Sequence, residues 1–376
     1  MIDTRIQTRT KPVIKIHAGT ETKSFLPPPT PSGKLPYRLN LESFTPLSNS
    51  KKLVFHLVGD TGSVVDPYYQ KYVVREMNKH FTPAIATENH PAFLYHVGDV
   101  VYNFGEAAHY YDQFFNPYRQ YPKPILAIPG NHDGDVDLTN EDAPASLSAF
   151  TKVFCDTEAN DIDLAQDSGR KTMVQPNVYF TLETPLANFI GLYSNTTKFG
   201  VIADEQKYWF INELKHVANA HPGKFIIVTL HHSPYSADTN HGSSLNMIRF
   251  LENTFAESGV KPHLVFSGHV HNYQRFHKQY PDGSMIPFIV AGAGGYVDLH
   301  NLAELDDPDF PDEDAAFEDV TLQNFCTDGH GFLKISIEKQ VDKLILNGEY
   351  YRVNYLDEPS DLRETAELFD RFQVRM

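Results

Sequence analysis

Short apolar runs recur along the middle of the chain, and each breaks off at Gly, Asp, Asn or His. They are LVFHLVGD (53–60), FLYHVGD (93–99), ILAIPGNHD (125–133), FIIVTLHH (225–232) and LVFSGHVH (264–271). Four to six apolar residues bounded by turn formers predict buried strands. Between them the period lengthens. DEQKYWFINELKHV (204–217) predicts a helix with Tyr208, Ile211, Leu214 and Val217 as its apolar stripe. Asp204 is its expected N-cap, and Pro222-Gly223 its stop. Strands alternating with helices indicate an α/β architecture.

The rhythm fails in three places. Residues 1–50 contain FLPPPTPSGKLP (25–36), which favours extended backbone, so this segment reads as a Pro-containing arm rather than a domain. Residues 134–175 are polar and read as a large loop with short helices. The stretch 304–319 holds nine acidic residues and no basic one, and reads as a solvated loop within an insertion near 298–330. Period-two alternation returns in 332–338 and 343–353, as strands closing a second sheet. The main folded unit is therefore placed at 51–353. The tail 354–376, with SDLRETAELFDRF (360–372), is expected to form a surface helix.

Composition narrows the function. Among 376 residues, 41% are hydrophobic and 21% charged, enough for a large core. The net charge of −16 argues against nucleic acid as a structural partner, which would need a basic face. No apolar run approaches the roughly 20 residues of a membrane span, and no secretory signal is seen, so a cytoplasmic location is the default expectation. The two cysteines, Cys155 and Cys326, form neither a disulfide framework nor a thiolate metal site; a single bridge between them stays open.

The chemistry lies at the carboxyl ends of the predicted strands, the edge where α/β sheets bind ligands. That edge presents Asp60, Asp99, Asn131, His231, His232, His269 and His271. All are oxygen or imidazole donors, which suit iron, zinc or manganese. So many donors point to two ions sharing a bridging carboxylate, a device for hydrolysing phosphate esters. GDTG (59–62) alone is an ordinary turn. GHVH (268–271) is more specific, since two imidazoles one residue apart at a strand end rarely serve packing alone. Tyr102, three residues after Asp99, adds a phenol. A phenol must lose its proton to bind a metal, which favours a strongly Lewis-acidic ion such as Fe(III).

The ordered series GD (59–60), GDVVY (98–102), GNH (130–132), HSP (232–234) and GHVH (268–271) resembles the metallophosphoesterase (calcineurin-like) superfamily, and specifically its purple acid phosphatase branch. Common superfamily members carry Asp-x-His at the first motif. This chain has Asp60-Thr61-Gly62 instead, and Tyr102 stands where the branch places its metal-binding tyrosine. The resemblance implies a four-layer sandwich of two mixed β-sheets flanked by helices, with a dinuclear site at the strand ends. It implies Asp60, Tyr102, His271 and Asp99 around Fe(III). Asn131, His232 and His269 would join Asp99 around a divalent Fe, Zn or Mn. His132 and His241 would assist the leaving group, with Asn131, His132, His231 and His241 contacting substrate. His300 and the remaining histidines read as surface or satisfied core residues. Tyr273 and Arg275 read as packing.

The implied reaction is hydrolysis of a phosphate monoester by in-line attack of a metal-bound hydroxide. The substrate would be a small phosphorylated molecule or a phosphoprotein. The alternatives are a phosphodiesterase acting on nucleotides or lipid head groups, and a non-catalytic binding module. The 50 residues before the catalytic unit are too few for the β-sandwich domain that precedes it in large plant members. The oligomeric state stays open.

Overall fold

The computed structural model describes residues 9–16, 23–47, 49–65, 67–341, 343–354 and 366–376. The strands among them, in chain order, are β1 (Arg38–Asn40), β2 (Lys52–Val58), β3 (Leu94–His96), β4 (Ile125–Ala127), β5 (Phe180–Glu183), β6 (Ala187–Gly191) and β7 (Phe225–Thr229), followed by β8 (Leu264–Ser267), β9 (Tyr273–Gln279), β10 (Met285–Ala291), β11 (Val320–Cys326), β12 (Gly331–Gln340), β13 (Lys343–Val353) and β14 (Ala366–Arg375). One sheet has the order β1-β5-β6-β7-β8-β10-β9-β11, the other β14-β13-β12-β2-β3-β4. Both are mixed. β2, β3 and β4 run parallel, as do β6, β7 and β8, while β12 to β14 are antiparallel.

The two sheets face each other across an aromatic layer. Phe55 of β2 and Phe93 meet Phe189 of β6 edge-on at 5.0 and 5.7 Å, and Tyr95 of β3 stacks on the same ring at 5.6 Å. The Thr229 hydroxyl of β7 bonds the Tyr95 hydroxyl at 3.0 Å, so the one polar tip in this layer is satisfied. Each ring buried here contributes about 1.5–3 kcal/mol. One helix, α1 (Tyr68–Asn78), packs on β12 and β13. The Asn131–Gly134 turn, α2, and Ser148–Phe154, α3, follow β4, and α4 (Asp204–Ala220) and α5 (Leu245–Ser258) pack together, with α4 against β6 and β7. The expected four-layer sandwich is the observed fold. Among the described residues, no helix is long and apolar enough to cross a membrane.

The sequence-based picture needs correction at several points. Tyr208 is 60% exposed and lies off the buried face of α4, which is formed by Gln206, Phe210, Glu213, Leu214 and Val217 with their neighbours. Two polar residues belong to that face because each has a specific partner. The Gln206 amide brackets the backbone of Tyr193 at 2.8 and 2.9 Å, and Glu213 accepts from Arg38 and Thr181. The N-cap is Ala203, and Asp204 opens the helix beside Glu205, where both complement the macrodipole. Within the 1–50 arm, Arg38–Asn40 add an edge strand, and Val13 is fully buried with Ala303 and Phe310. Both cysteines are buried and free, so they do not pair.

The largest correction is at the tail. Residues 366–375 form a strand, not a helix; 355–365 lie outside the described residues. β14 completes the edge beside β13, and its Asp370 explains the choice. That carboxylate points inward and takes Tyr273 at 2.7 Å and the Arg275 guanidinium at 2.8 and 3.1 Å. Tyr273 and Arg275 belong to β9 of the other sheet, so the expected packing role holds and ties sheet to sheet. Tertiary pairing here overrides local propensity. The pair is 11% and 6% exposed, so Asp370→Ala should leave a buried guanidinium unpaired and cost about 3–5 kcal/mol. Urea unfolding measures this, and a loss under about 1 kcal/mol would contradict the role given to the pair.

Candidate metal centre

The strands β2, β3, β4, β7 and β8 end side by side, and their first loop residues turn inward. Asp60, Asp99 and His269 all have left-handed backbone, with φ of +57°, +55° and +70°. Non-glycine residues rarely adopt it, and it clusters at sites where surrounding structure imposes it. The Asp60 N–H donates to Gly98 O at 2.9 Å, and the Gly268 N–H to His231 O at 3.0 Å, locking neighbouring loops together. Two glycines are required by space: a Cβ on Gly130 would lie 2.1 Å from the Asp99 carboxylate, and one on Gly268 would lie 2.6 Å from that of Asp60.

Asp60, Tyr102 and His271 converge. The Tyr102 hydroxyl lies 3.5 Å from Asp60 Oδ1 and 3.3 Å from His271 Nε2, and that nitrogen is 3.7 Å from the same carboxylate. The Gln113 amide fixes the Tyr102 backbone through two 2.8 Å bonds. The Tyr102 ring packs between His132 and Tyr296, each with its centroid 4.4 Å away. His271 in turn is held by the carbonyl of Asp298 at 3.0 Å.

A second group adjoins the first. One ligand atom each from Asp99, His231 and His269 lies within 4.8 Å of the others. His231 Nε2 is 3.4 Å from Asp99 Oδ2 and 3.1 Å from Asn131 Oδ1, while its Nδ1 is anchored on Val97 O at 2.9 Å. His231 therefore reaches further into the cluster than the substrate contact expected of it. His232, singled out from its HSP context, is oriented by Ser194 through Nδ1 at 2.7 Å. Its ring lies 4.4 Å from that of His269. The Nε2 atoms of His232 and His269 are both buried with no hydrogen-bond partner in the described structure. Two orphaned imidazole nitrogens beside buried carboxylates are what a metal would satisfy.

The electrostatics agree. Burial drives the Asp60 carboxyl well above its usual range, and Asp99 adds to the rise against the pull of His231. Burial also acts against ionised Asp99, but His231 and His132 outweigh it and hold that carboxyl below the ordinary range. Burial lowers His231, yet Asp99 and Asp60 overcome it and push the imidazole up to about 9. The Tyr102 phenol is raised well above 10 by burial, then by Asp99 and Asp60. Two carboxylates and a phenol packed out of water repel one another, and a multivalent cation reverses that balance.

The residues expected to act on substrate lie at the rim. His132 donates its backbone N–H to Asp99 at 2.9 Å and bonds Asn103 O through Nδ1 at 2.8 Å. The His241 ring packs on His269 with centroids 4.0 Å apart, and burial, opposed by Asp238, brings it down to about 4.

Sequence reasoning missed several supports. Asp133, inside the quoted GNHD, collects the N–H groups of Gly130, Val100 and Val101 and so shapes the Asp99 loop. Asp238 accepts from the N–H groups of Asn240, His241 and Gly242, and pairs with His300 Nδ1 at 3.1 Å. His300, read as an ordinary histidine, stacks on His271 at 4.4 Å. Asp238, Tyr296 and His300 come together only through folding, and no local spacing signals them.

The sequence profile described as calcineurin-like phosphoesterase matches residues 53–273. The chain belongs to that family, whose members are metal-dependent phosphoester hydrolases. A curated relative, purple acid phosphatase 15 of Arabidopsis thaliana, is 25% identical over 211 residues, which is 54% of this chain and 35% of the relative. The chain thus spans about a third of the length of that relative. The similarity agrees with the branch named from the motifs. Solved structures are distant. A putative 5′-nucleotidase from Staphylococcus aureus in complex with alpha-ketoglutarate aligns with a TM-score of 0.40 at 11% identity, over 77% of this chain and 51% of that one. Vps29 from Chaetomium thermophilum aligns with a TM-score of 0.30 at 9% identity, over 86% and 94%.

If the cluster holds metal, removing it should destabilise the whole fold. A cation at a hundredfold excess over its Kd stabilises by about 2.7 kcal/mol. Chelation should lower the thermal midpoint of the wild-type protein, and much less that of Asp99→Asn. Equal midpoints before and after verified metal removal would contradict the site.

Proposed function

We propose that this protein is a phosphomonoesterase of the purple acid phosphatase type, with Fe(III) beside Tyr102 and divalent Fe, Zn or Mn in the adjoining position. The observation that carries the reading is the convergence of the Tyr102 phenol with Asp60 and His271, next to the buried Asp99 cluster. Asp60, Tyr102 and His271 would hold the ferric ion, Asn131, His232 and His269 the divalent one, and Asp99 would be shared. When bound, such a pair lowers the pKa of water and neutralises charge on a phosphoryl group.

The remaining steps belong to the chain. His132 uses Nδ1 toward the Asn103 carbonyl, so Nε2 is the nitrogen left for a substrate oxygen. With Nδ1–H donating to that carbonyl, Nε2 accepts when the ring is neutral and donates when it is protonated. His241, placed by the Asp238-capped loop, packs on His269 and would meet the departing oxygen. His231 holds Asp99 and Asn131 in register. Asp133 and Asp238 position the loops carrying His132 and His241. Neither makes contact with substrate in this scheme.

The test is a comparison of steady-state rates on an aryl phosphate monoester and the matching diester. Monoester kcat/KM should exceed diester kcat/KM by at least about tenfold, a difference of about 1.4 kcal/mol in transition-state stabilisation. Asp99→Asn should reduce the monoester rate by about a thousandfold or more, or about 4 kcal/mol. A diester preference would overturn the substrate class, and near-wild-type activity in Asp99→Asn would overturn the shared ligand.

A further inference from the structure

Four basic side chains line one wall of this acidic protein away from the strand ends. A cavity of about 340 Å³ is lined by Arg119, Lys123, Arg170 and Lys171, with Phe44 and Met173 among its apolar walls. Its size falls within the range of small-molecule sites, which combine apolar walls with a few fixed polar groups. Lys123 lies just before β4, and Asn131 follows the other end of that strand, so the cavity and the metal cluster occupy opposite ends of β4.

The charges are not matched inside. Arg119 and Lys171 pair with Asp167 and Asp161 at 3.3 and 3.6 Å, and both aspartates are largely exposed. Arg170 pairs with no carboxylate among the described residues, nor does Lys123. The Arg170 guanidinium donates from Nη1 to Tyr118 O and Tyr121 O at 3.2 and 2.7 Å, and from Nη2 to Lys123 O at 3.0 Å. Those carbonyls fix its plane but cannot neutralise it, and an arginine does not escape by losing its proton. Burial of this cation is the main influence on it and brings its pKa down to about 10. A partly buried charge without a counter-ion is costly, and an anion entering the cavity offsets that cost. The 159–174 segment that walls the cavity is held in place independently, since the Gln175 amide brackets Ala127 of β4 through two 2.8 Å bonds.

We propose that this cavity is a second ligand site, which takes a small organic anion with a flat apolar body. The anionic head sits between Arg170 and Lys123, and the body lies against Phe44 and Met173. The site is independent of the metal cluster and of the reaction proposed there.

Isothermal titration calorimetry on the full chain with 1-naphthalenesulfonate tests it. This probe has the required anion and flat body, and it carries no phosphoester. Wild-type protein should bind it saturably at one site. Lys123→Glu, at a half-exposed position, should weaken binding at least tenfold with an unchanged unfolding midpoint. Lys171→Glu, at the rim, should weaken it by a smaller factor in the same direction. Asp99→Asn should bind like wild type. Absence of saturable binding at millimolar probe, or equal affinity in wild type and both lysine variants, would overturn the proposal. So would loss of binding in Asp99→Asn, which would place the anion at the metal cluster instead.

Discussion

The structure is organised around keeping two carboxylates, Asp60 and Asp99, together out of water. Each is essentially fully buried at a strand end, and burial opposes ionisation at both. The fold meets the demand with oriented donors. Asp60 takes the His269 N–H on both oxygens at 3.0 and 2.9 Å, and Asp99 takes the His132 N–H. His231 Nε2 reaches Asp99 Oδ2 at 3.4 Å. These bonds run between loops from different strands, so the sheet must be assembled before the acids can be held. The left-handed residues at 60, 99 and 269 are the local cost of aiming those side chains inward.

From that constraint the outer layers follow. Asp133 gathers three backbone N–H groups so that the loop carrying Asp99 and Tyr102 keeps its shape. Asp238 does the same for the loop carrying His241, and its pairing with His300 carries the order through to His271. Farther out, the Tyr273–Arg275–Asp370 link joins β9 of one sheet to β14 of the other. A buried acid with several donors is the recurring element, used at Asp60 and Asp99 to hold the site and at Asp133 and Asp238 to support it.

Much of this was legible in the sequence. The five apolar runs that predicted strands are β2, β3, β4, β7 and β8, because four to six apolar residues ending in turn formers have few other ways to be buried. The ligand-type residues were legible for the same reason: each follows a strand by two to six positions. What stayed hidden was whatever depends on contacts distant in sequence. The polar members of the buried face of α4, Gln206 and Glu213, look like solvent residues until Tyr193 and Arg38 arrive. β14 looked helical because its inward residue, Asp370, is charged and acquires its meaning only from Arg275. His300 and Tyr296 lie in a segment without periodicity, and folding alone brings them to His271 and Tyr102.

The central claim is that the convergence of Tyr102 with Asp60 and His271 makes a ferric site. The direct measurement is a visible absorption spectrum of concentrated purified protein, before and after mild reductant, with metals quantified on the same sample. The account predicts two metal ions per chain with iron among them. It predicts a visible phenolate-to-iron band that shifts on reduction and is lost in Tyr102→Phe. A colourless protein holding two non-ferric ions would contradict it and leave Tyr102 a bystander.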